Sequence, residues 1–317
     1  MLNFFRKTSG RAGLVGVSVS ADGLALAHVR RGGDRPRLQT LTVEPCTPAE
    51  RGPCLSRQVE RHGLKGTPCV LAMEPGSYSL LQVESPDVQP DELRAAIRWR
   101  IKDLIDYHLD DAVVDVFDIP GQNQRGRPRM MYAVSARAAE IRSRIELMRS
   151  AGLEPQAVDI GELALRNVAA LLPEESSALL YLTADEGLIT LQHKGELCLA
   201  RTLDMSAARL QAAADGTTGF DGSAVARQWE QLALEVQRSL DYFDSVFSLP
   251  PVGALVLAPT EPPTVDLPAY LNANLAVAAR RLDLGSALGR DVPLEDDVTA
   301  RALLAVGAAL RVETTRL

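Results

Sequence analysis

Apolar residues alternate in two short runs near the start of the chain, residues 14–19 and 23–29, on either side of Ala21-Asp22-Gly23. Period-two alternation predicts strands. Asp22-Gly23 reads as the turn of a tight hairpin, with the glycine supplying a positive φ. A third alternating run covers 38–44, a short helix is expected over 51–63, and the strand-like runs CVLAM and YSLLQV flank a Pro75-Gly76 turn.

The pattern changes at Ser85. Pro90 is placed for a first helical turn, and Asp91 and Glu92 complement the positive end of the helix dipole. Leu93, Ile97, Ile101, Leu104 and Ile105 then recur on one helical face. Strands are expected at 112–119 and 129–136, separated by the polar loop GQNQRGRPR. A helix with the stripe Ile141, Ile145 and Met148 follows, with Ser135 as its candidate cap and Gly152 as its stop, and residues 156–160 are strand-like. This helix-strand-strand-helix-strand unit reads as a compact αβ subdomain inserted in the first half.

The opening pattern then returns. Residues 178–193, ALLYLTADEGLITLQH, repeat an apolar run, an Ala-Asp turn and a second apolar run, and a shift of 163 places Asp22 on Asp185. A third strand follows at 197–203, as one follows the first hairpin. The repeated order predicts a duplicated fold with two similar lobes. Val225, Trp229, Leu232, Val236, Leu240, Phe243 and Phe247 step by three and four through the longest helix, 224–247, whose stripe is that of a core-facing element. Pro250-Pro251 ends it, GALVLAP reads as a buried strand, and ARALLAVGAAL as a closing helix.

With 317 residues, two lobes are the natural division. A net charge of −7 with scattered basic residues leaves no footprint for nucleic acid. Cys46, Cys54, Cys69 and Cys198 have neither zinc-site nor disulfide-framework spacing, so buried reduced thiols are expected. No stretch reaches the ~18 apolar residues of a membrane span, and MLNFFRKTSGR lacks the form of a signal peptide. A cytoplasmic protein with a frayed, solvated start is expected. Phe4 and Phe5 beside Arg6, Lys7 and Arg11 are candidate contacts to a membrane or partner.

The four histidines share no metal-site spacing, and neither a GxSxG elbow nor a Walker loop is present. Asp110-Asp111 reads as a solvated loop pair, and RWR at 98–100 as a solvated helical face around a partly buried Trp99. No catalytic residue or metal ligand is assigned.

Two hairpins in duplicated lobes, an inserted αβ subdomain and a long helix before a strand together resemble the actin-like ATPase fold. The stretches AIRWRIKDLIDYHLDDAVVDVFDI, MRSAGLEPQAVDIGELAL and EVQRSLDYFDSVFSLPPVGALVLAP are similar to the PilM-like family of type IV pilus assembly, most narrowly to its MSHA-type branch. The resemblance runs from about Leu14 to the C-terminus. It implies an α/β, actin-like (ASKHA) duplicated two-lobe fold. The expected division is a flexible terminus at 1–11, a first lobe at 12–84 resumed at 159–176, an inserted subdomain at 85–158, a second lobe at 177–299, and a closing helix and tail at 300–317.

The resemblance also implies ATP binding and a groove, in the first lobe near the inserted subdomain, for a cytoplasmic peptide of a PilN-like bitopic inner-membrane protein. The nucleotide residues depart from the family pattern. Where the hairpins of actin-like folds carry Asp-x-Gly, this chain has Ser18, Val19 and Ser20 in the first and Tyr181, Leu182 and Thr183 in the second. Asp22 and Asp185 lie close by, in turns. Where the family has glycines beside the adenosine, this chain has Ala258-Pro259-Thr260-Glu261, and proline closes an open backbone path.

The expected function is therefore a non-enzymatic scaffold of a pilus inner-membrane platform with a vestigial nucleotide site of Ser18, Ser20, Asp22, Thr183 and Asp185. The alternative readings are an ATP-binding PilM-like protein or weak ATPase using Mg, and a GspL-like type II secretion component. The chain's end soon after Arg311 weighs against the GspL-like reading.

Overall fold

The computed structural model describes residues 13–122, 128–214, 222–261, 263–264 and 266–312. Phe4 and Phe5 lie outside the described residues. Strands β1 (Leu14–Val19), β2 (Gly23–Arg30) and β3 (Arg37–Pro45) form an antiparallel meander. Helix α1 (Arg51–Arg61) then crosses to β4 (Pro68–Met73), which lies parallel to β1. β5 (Ser79–Glu84), α2 (Leu93–Arg100), β6 (Ala112–Asp118) and β7 (Met130–Arg137) leave this sheet and build a second one, ordered β5-β7-β6. α3 (Ala138–Ser150) brings the chain back to β8 (Glu154–Ile160), parallel to β4.

α4 (Gly161–Ala169) leads into the second lobe: β9 (Ser176–Leu182), β10 (Gly187–His193), β11 (Glu196–Leu203), α5 (Ala207–Ala214), α6 (Gly222–Val246), β12 (Ala254–Leu257), α7 (Leu267–Asn274) and β13 (Ala279–Arg281). α8 (Leu284–Ala287), β14 (Gly289–Arg290) and α9 (Asp296–Ala309) complete the described chain.

The repeat seen in the sequence is a repeat of topology. The first sheet runs β14-β3-β2-β1-β4-β8 and the second β11-β10-β9-β12-β13. β9, β10 and β11 take the places of β1, β2 and β3, and the parallel pairs β9–β12 and β12–β13 repeat β1–β4 and β4–β8.

The inserted unit is smaller than 85–158. β5 pairs with β7, which moves its start back to Ser79. α3 and β8 belong to the first lobe, because Met148 and Leu153 bury against Val17 and Leu71 while β8 extends the first sheet. The second lobe likewise ends before 299, since β14 pairs with β3 of the first sheet.

α9 is the central element of the core. It lies against the first sheet and α4, with Ala302, Leu303, Ala305, Val306, Ala308 and Ala309 buried in one cluster with Val29, Val70, Leu165 and Tyr181. The approach is close at two glycines. A Cβ on Gly16 would strike the Ala305 carbonyl, and one on Gly307 the Ala164 carbonyl. The small residues of ARALLAVGAAL thus let a helix lie nearly on a strand.

Three local expectations fail for identifiable reasons. Gly23 does not adopt positive φ. It is required because a Cβ there would stand 2.6 Å from the Glu44 carbonyl of the third strand. Ser135 is buried in β7, its hydroxyl 2.8 Å from that of Tyr107, and α3 starts three residues later without a side-chain cap. Trp99 is 68% exposed rather than partly buried, and Leu104 is also exposed. α2 covers the small sheet with Ile97 and Ile101, and Trp99, two positions from each, points to the opposite side at 3.6 residues per turn. The helix ends at Arg100, so the stripe does not extend to Leu104.

The four cysteines are free and buried, and burial pushes the Cys69 and Cys198 thiols up to about 12.

Candidate functional site

The carboxyl ends of β1 and β4 and the tips of both hairpins form the cleft in which the sequence places a nucleotide. Ser18 is buried within β1, between Ala25 and Ala72 of its neighbours. The Ser20 hydroxyl donates to Asp22 Oδ1 at 2.7 Å, closing its own turn. Asp22 Oδ2 accepts from Arg301 Nη2 of α9 at 2.9 Å, and Arg301 Nε lies 3.8 Å from Glu261, just after the second lobe's β12. The Ser20 hydrogen bond and the Arg301 charge hold the Asp22 carboxyl below the usual range.

In the second hairpin the Thr183 hydroxyl donates to the Glu186 carbonyl and accepts from the Glu186 N–H, at 3.1 and 3.0 Å. Asp185 is exposed at the tip. The Thr183 and Ala184 carbonyls accept the N–H groups of Ala207 and Ala208 at the start of α5. Those are amides that an anion at this helix end would otherwise use. Tyr181 is buried, and its burial, then the nearby Glu74, raises its pKa.

Between the tips stands the connection from β4 to β5. Burial first, then the Asp22 and Glu186 charges, push the Glu74 carboxyl up to about 7 against the opposing pull of Arg144 and Arg51. A Cβ on Gly76 would lie 3.5 Å from Glu186 Oε1. Tyr78 donates to Glu162, which is buried at the start of α4, and accepts the Gly161 N–H at 3.0 Å. Two small cavities flank this connection, about 200 Å³ beside Ser20, Arg51 and Arg144 and about 280 Å³ beside Glu162 and Glu186. Both fall below the ~300 Å³ typical of small-molecule sites.

The structure therefore brings Ser20, Asp22, Thr183 and Asp185 to the tips that face Glu74. A triphosphate placed there meets a carboxyl group and finds these hydroxyl and amide groups already paired. At Ala258-Pro259-Thr260 the space is about 70 Å³, and the Thr260 hydroxyl accepts the Thr264 N–H at 3.1 Å. Among the described residues, no group of three or more His, Cys, Asp or Glu is placed to hold a metal ion.

A larger space lies elsewhere. A groove of about 660 Å³ opens between the inserted sheet, the first lobe and β11. Consecutive residues of β6 and of β8 line it, and each is the outer strand of its sheet. A run of consecutive residues offers the groove a strand edge, with its main-chain donors and acceptors, rather than one face.

Phe117, Ile119, Val158 and Leu163 supply apolar wall. Ion pairs mark its rim, Arg94 with Asp115 at 2.9 Å and Arg129 with Asp118 at 3.0 Å. Deeper, Arg311 pairs with Asp159, which is 3% exposed. The inserted sheet is fixed here by Tyr132, whose hydroxyl accepts the Ala200 N–H of β11 at 3.0 Å while its ring joins the second lobe's core. None of the groove residues stands out in the sequence. Asp115 and Asp118, three positions apart on β6, are the one signal, and acidic residues are also what a solvated edge strand shows.

These lobes, their repeated sheets and their crossing helix define the class: an actin-like α/β two-lobe fold. No family model matches the chain. Among solved structures it is similar to a chain of the PilM–PilN type IV pilus biogenesis complex, with a TM-score of 0.69 and 21% identity over 95% of this chain and 98% of that one. It is also similar to the cytoplasmic domain of EpsL, an inner-membrane component of the type II secretion system of Vibrio cholerae, with a TM-score of 0.50 and 11% identity over 96% and 100% of the two chains. A Bacteroides thetaiotaomicron protein of actin-like ATPase fold and unknown function matches with a TM-score of 0.51 and 10% identity, over 91% and 96%.

Proposed function

We propose that this chain is a non-enzymatic scaffold on the cytoplasmic face of an inner-membrane pilus platform, where it docks the cytoplasmic tail of a PilN-like bitopic protein. The observation that carries this reading is the groove bounded by two sheet edges. An extended peptide entering it gains main-chain hydrogen bonds from β6 or β8, apolar contact with Phe117 and Leu163, and charged partners at the rim. Similarity in fold to a chain of the PilM–PilN complex supports a tail of this kind as the occupant. The sequence resemblance to MshI supports an MSHA-type pilus as the setting.

The nucleotide site is proposed to be vestigial, with neither ATP nor Mg bound. Support comes from the committed Ser20 and Thr183 hydroxyls and from Glu74 between the tips. Calorimetry with Mg-ATP is expected to give no saturable heat, and saturable micromolar binding would overturn this part of the reading.

The docking reading is tested by retaining solubilised inner-membrane protein on the immobilised chain. A bitopic pilus protein is expected among the retained species, and its capture is expected to fall when Arg94 and Arg129, both exposed, are changed to Glu. Capture unaffected by that double change, or retention of no pilus component, sinks it.

A further inference from the structure

Two of the four buried thiols meet at one junction. Glu44 of β3 faces α1, because it pairs with Leu24, whose side chain lies in the cluster that Leu55 and Val59 of α1 cover. Arg57 and Gln58 of α1 both donate to the Glu44 carboxylate. Cys46 lies two residues further along the chain from Glu44, on the same face, and Cys54 lies one helical turn before Gln58. The chain reverses between them in a tight turn, where the Glu50 N–H donates to the Thr47 carbonyl at 3.0 Å and the Glu50 carboxylate accepts the Thr47 N–H at 2.9 Å. The two steps therefore run side by side, and they match in length, about 6.6 Å along a strand and about 6 Å along a helix.

That match brings the two thiols together. Both cysteines bury in the same cluster, at 8% and 4% exposure, and the Cys54 thiol acts directly on that of Cys46. Arg57 Nη2 donates to Cys54 Sγ at 3.2 Å, a contact that strengthens when the sulfur is a thiolate. Burial, then the neighbouring Cys54, pushes the Cys46 thiol up, so Cys46 keeps its proton. The other two cysteines differ on each count. Cys69 and Cys198 are fully buried, and their sulfurs meet the Met148 thioether and the Glu196 carbonyl rather than a thiol or a cation.

We propose that Cys46 and Cys54 are a peroxide-sensitive dithiol that closes to a disulfide within the folded chain. The Cys54 thiolate attacks one oxygen of hydrogen peroxide, the O–O bond breaks, and the leaving hydroxide takes up the proton that Cys54 gave away. Cys54 is then a sulfenic acid. The Cys46 sulfur attacks it, the S–S bond forms as the S–O bond breaks, and water leaves with the Cys46 proton. Two thiols are oxidised and one peroxide is reduced to two waters. The bond closes the segment 46–54 beneath the tip of the first hairpin, where the Cys46 N–H donates to the Asp22 carbonyl at 3.1 Å. Closure thus fastens the first turn of α1 to the base of that tip.

Peptide mapping of the full chain tests this. Trypsin cuts after Arg37, Arg51 and Arg57, which leaves Cys46 in the peptide 38–51 and Cys54 in the peptide 52–57. After treatment of the folded chain with hydrogen peroxide and alkylation of the remaining thiols, these two peptides are expected to be joined by a bond that dithiothreitol breaks, with Cys69 and Cys198 still reduced. Cys46→Ser is expected to stop the reaction at a Cys54 sulfenic acid, trapped with dimedone, and Cys54→Ser to leave Cys46 untrapped. Arg57→Gln is expected to slow linking about tenfold. Arg61→Gln, exposed one turn further along α1, is expected to leave the rate within about twofold. Unjoined peptides, or joining that appears only when Cys69 and Cys198 also oxidise, overturn the proposal. Dimedone trapped on Cys46 in place of Cys54, or a rate unchanged by Arg57→Gln, overturns the assigned order of attack.

Discussion

Arg301 of the closing helix and Asp22 at the tip of the first hairpin, 279 positions apart in sequence, meet at 2.9 Å, with Glu261 of the second lobe 3.8 Å away on the other side of the guanidinium. One arginine thus spans the mouth of the cleft from lobe to lobe. Its side chain is 30% exposed and that of Asp22 71%, so the pair adds little to global stability, on the order of 0.2–1 kcal/mol. Its effect is local. Arg301→Ala is expected to leave the thermal midpoint within a few degrees while speeding amide exchange at Ser20–Gly23. Unchanged exchange there would remove Arg301 as a brace.

Glu74 gives the cleft a pH dependence of known sign. Its carboxyl is raised to about 7 in the folded chain, against an ordinary value of 4.5, by burial and by Asp22 and Glu186. The folded state therefore holds this proton more tightly than the unfolded one. The corresponding stability is fully present below about 4.5 and is lost as pH rises through about 7. Glu74→Gln removes that loss. The variant is expected to gain stability relative to the unaltered chain between pH 5 and 7.5, read from urea midpoints. A stability difference constant across that range contradicts the assignment.

The helix-on-strand approach at Gly16 and Gly307 admits no side chain, because backbone carbonyls of Ala305 and Ala164 occupy the space. Gly16→Ala or Gly307→Ala is expected to cost about 1–3 kcal/mol through overpacking. Gly33→Ala, where nothing lies within 4 Å, is expected to be near neutral. Chemical denaturation of the three variants orders them directly.

Arg311 and Asp159 are the buried ion pair of the groove, with side-chain exposures of 13% and 3%. Arg311→Ala leaves a buried carboxylate and is expected to cost about 3–5 kcal/mol. Arg311→Met with Asp159→Asn is expected to recover much of that loss, because no charge is left stranded. A double variant as unstable as the single one would show that packing, not charge, sets the cost.

The hairpins, the duplicated order and the long helix were legible because each has a local cause. The hairpin strands are buried on both faces and alternate in size, Leu24 and Leu26 filling one cluster while Ala25 and Ala27 face the other, which contains α9. Leu232, Val236, Leu240 and Phe243 bury one face of α6 at helical spacing. The limits of the inserted unit were not legible. Whether YSLLQV pairs with β4 or with β7 depends on partners that are distant in sequence, and both choices bury the same alternating residues. Leu104 was misplaced because a stripe was extended past Arg100, where the helix ends, and Trp99 because it stands two positions from both Ile97 and Ile101 and so on the opposite side of α2. For the site, the residues at the hairpin tips were found from motif positions, whereas Glu74 was not, since its environment is made by three separate turns. The resemblance implied a groove in the first lobe near the inserted subdomain, but the residues that line it escaped for a similar reason: strand edges are a property of the assembled sheets, and a sequence does not mark which strand is outermost.

The place of α9 has a consequence for synthesis. Residues 296–309 complete a core whose sheet starts at residues 14–19, and Arg311 completes the groove just beyond. A ribosome releases the first lobe's strands long before the helix that covers them. The sheet face waits unfilled until the second lobe has been made. Products cut short before residue 296 lack both the covering helix and the Arg311 side of the groove, so the last part of the chain to be made is the part that closes the first lobe's core.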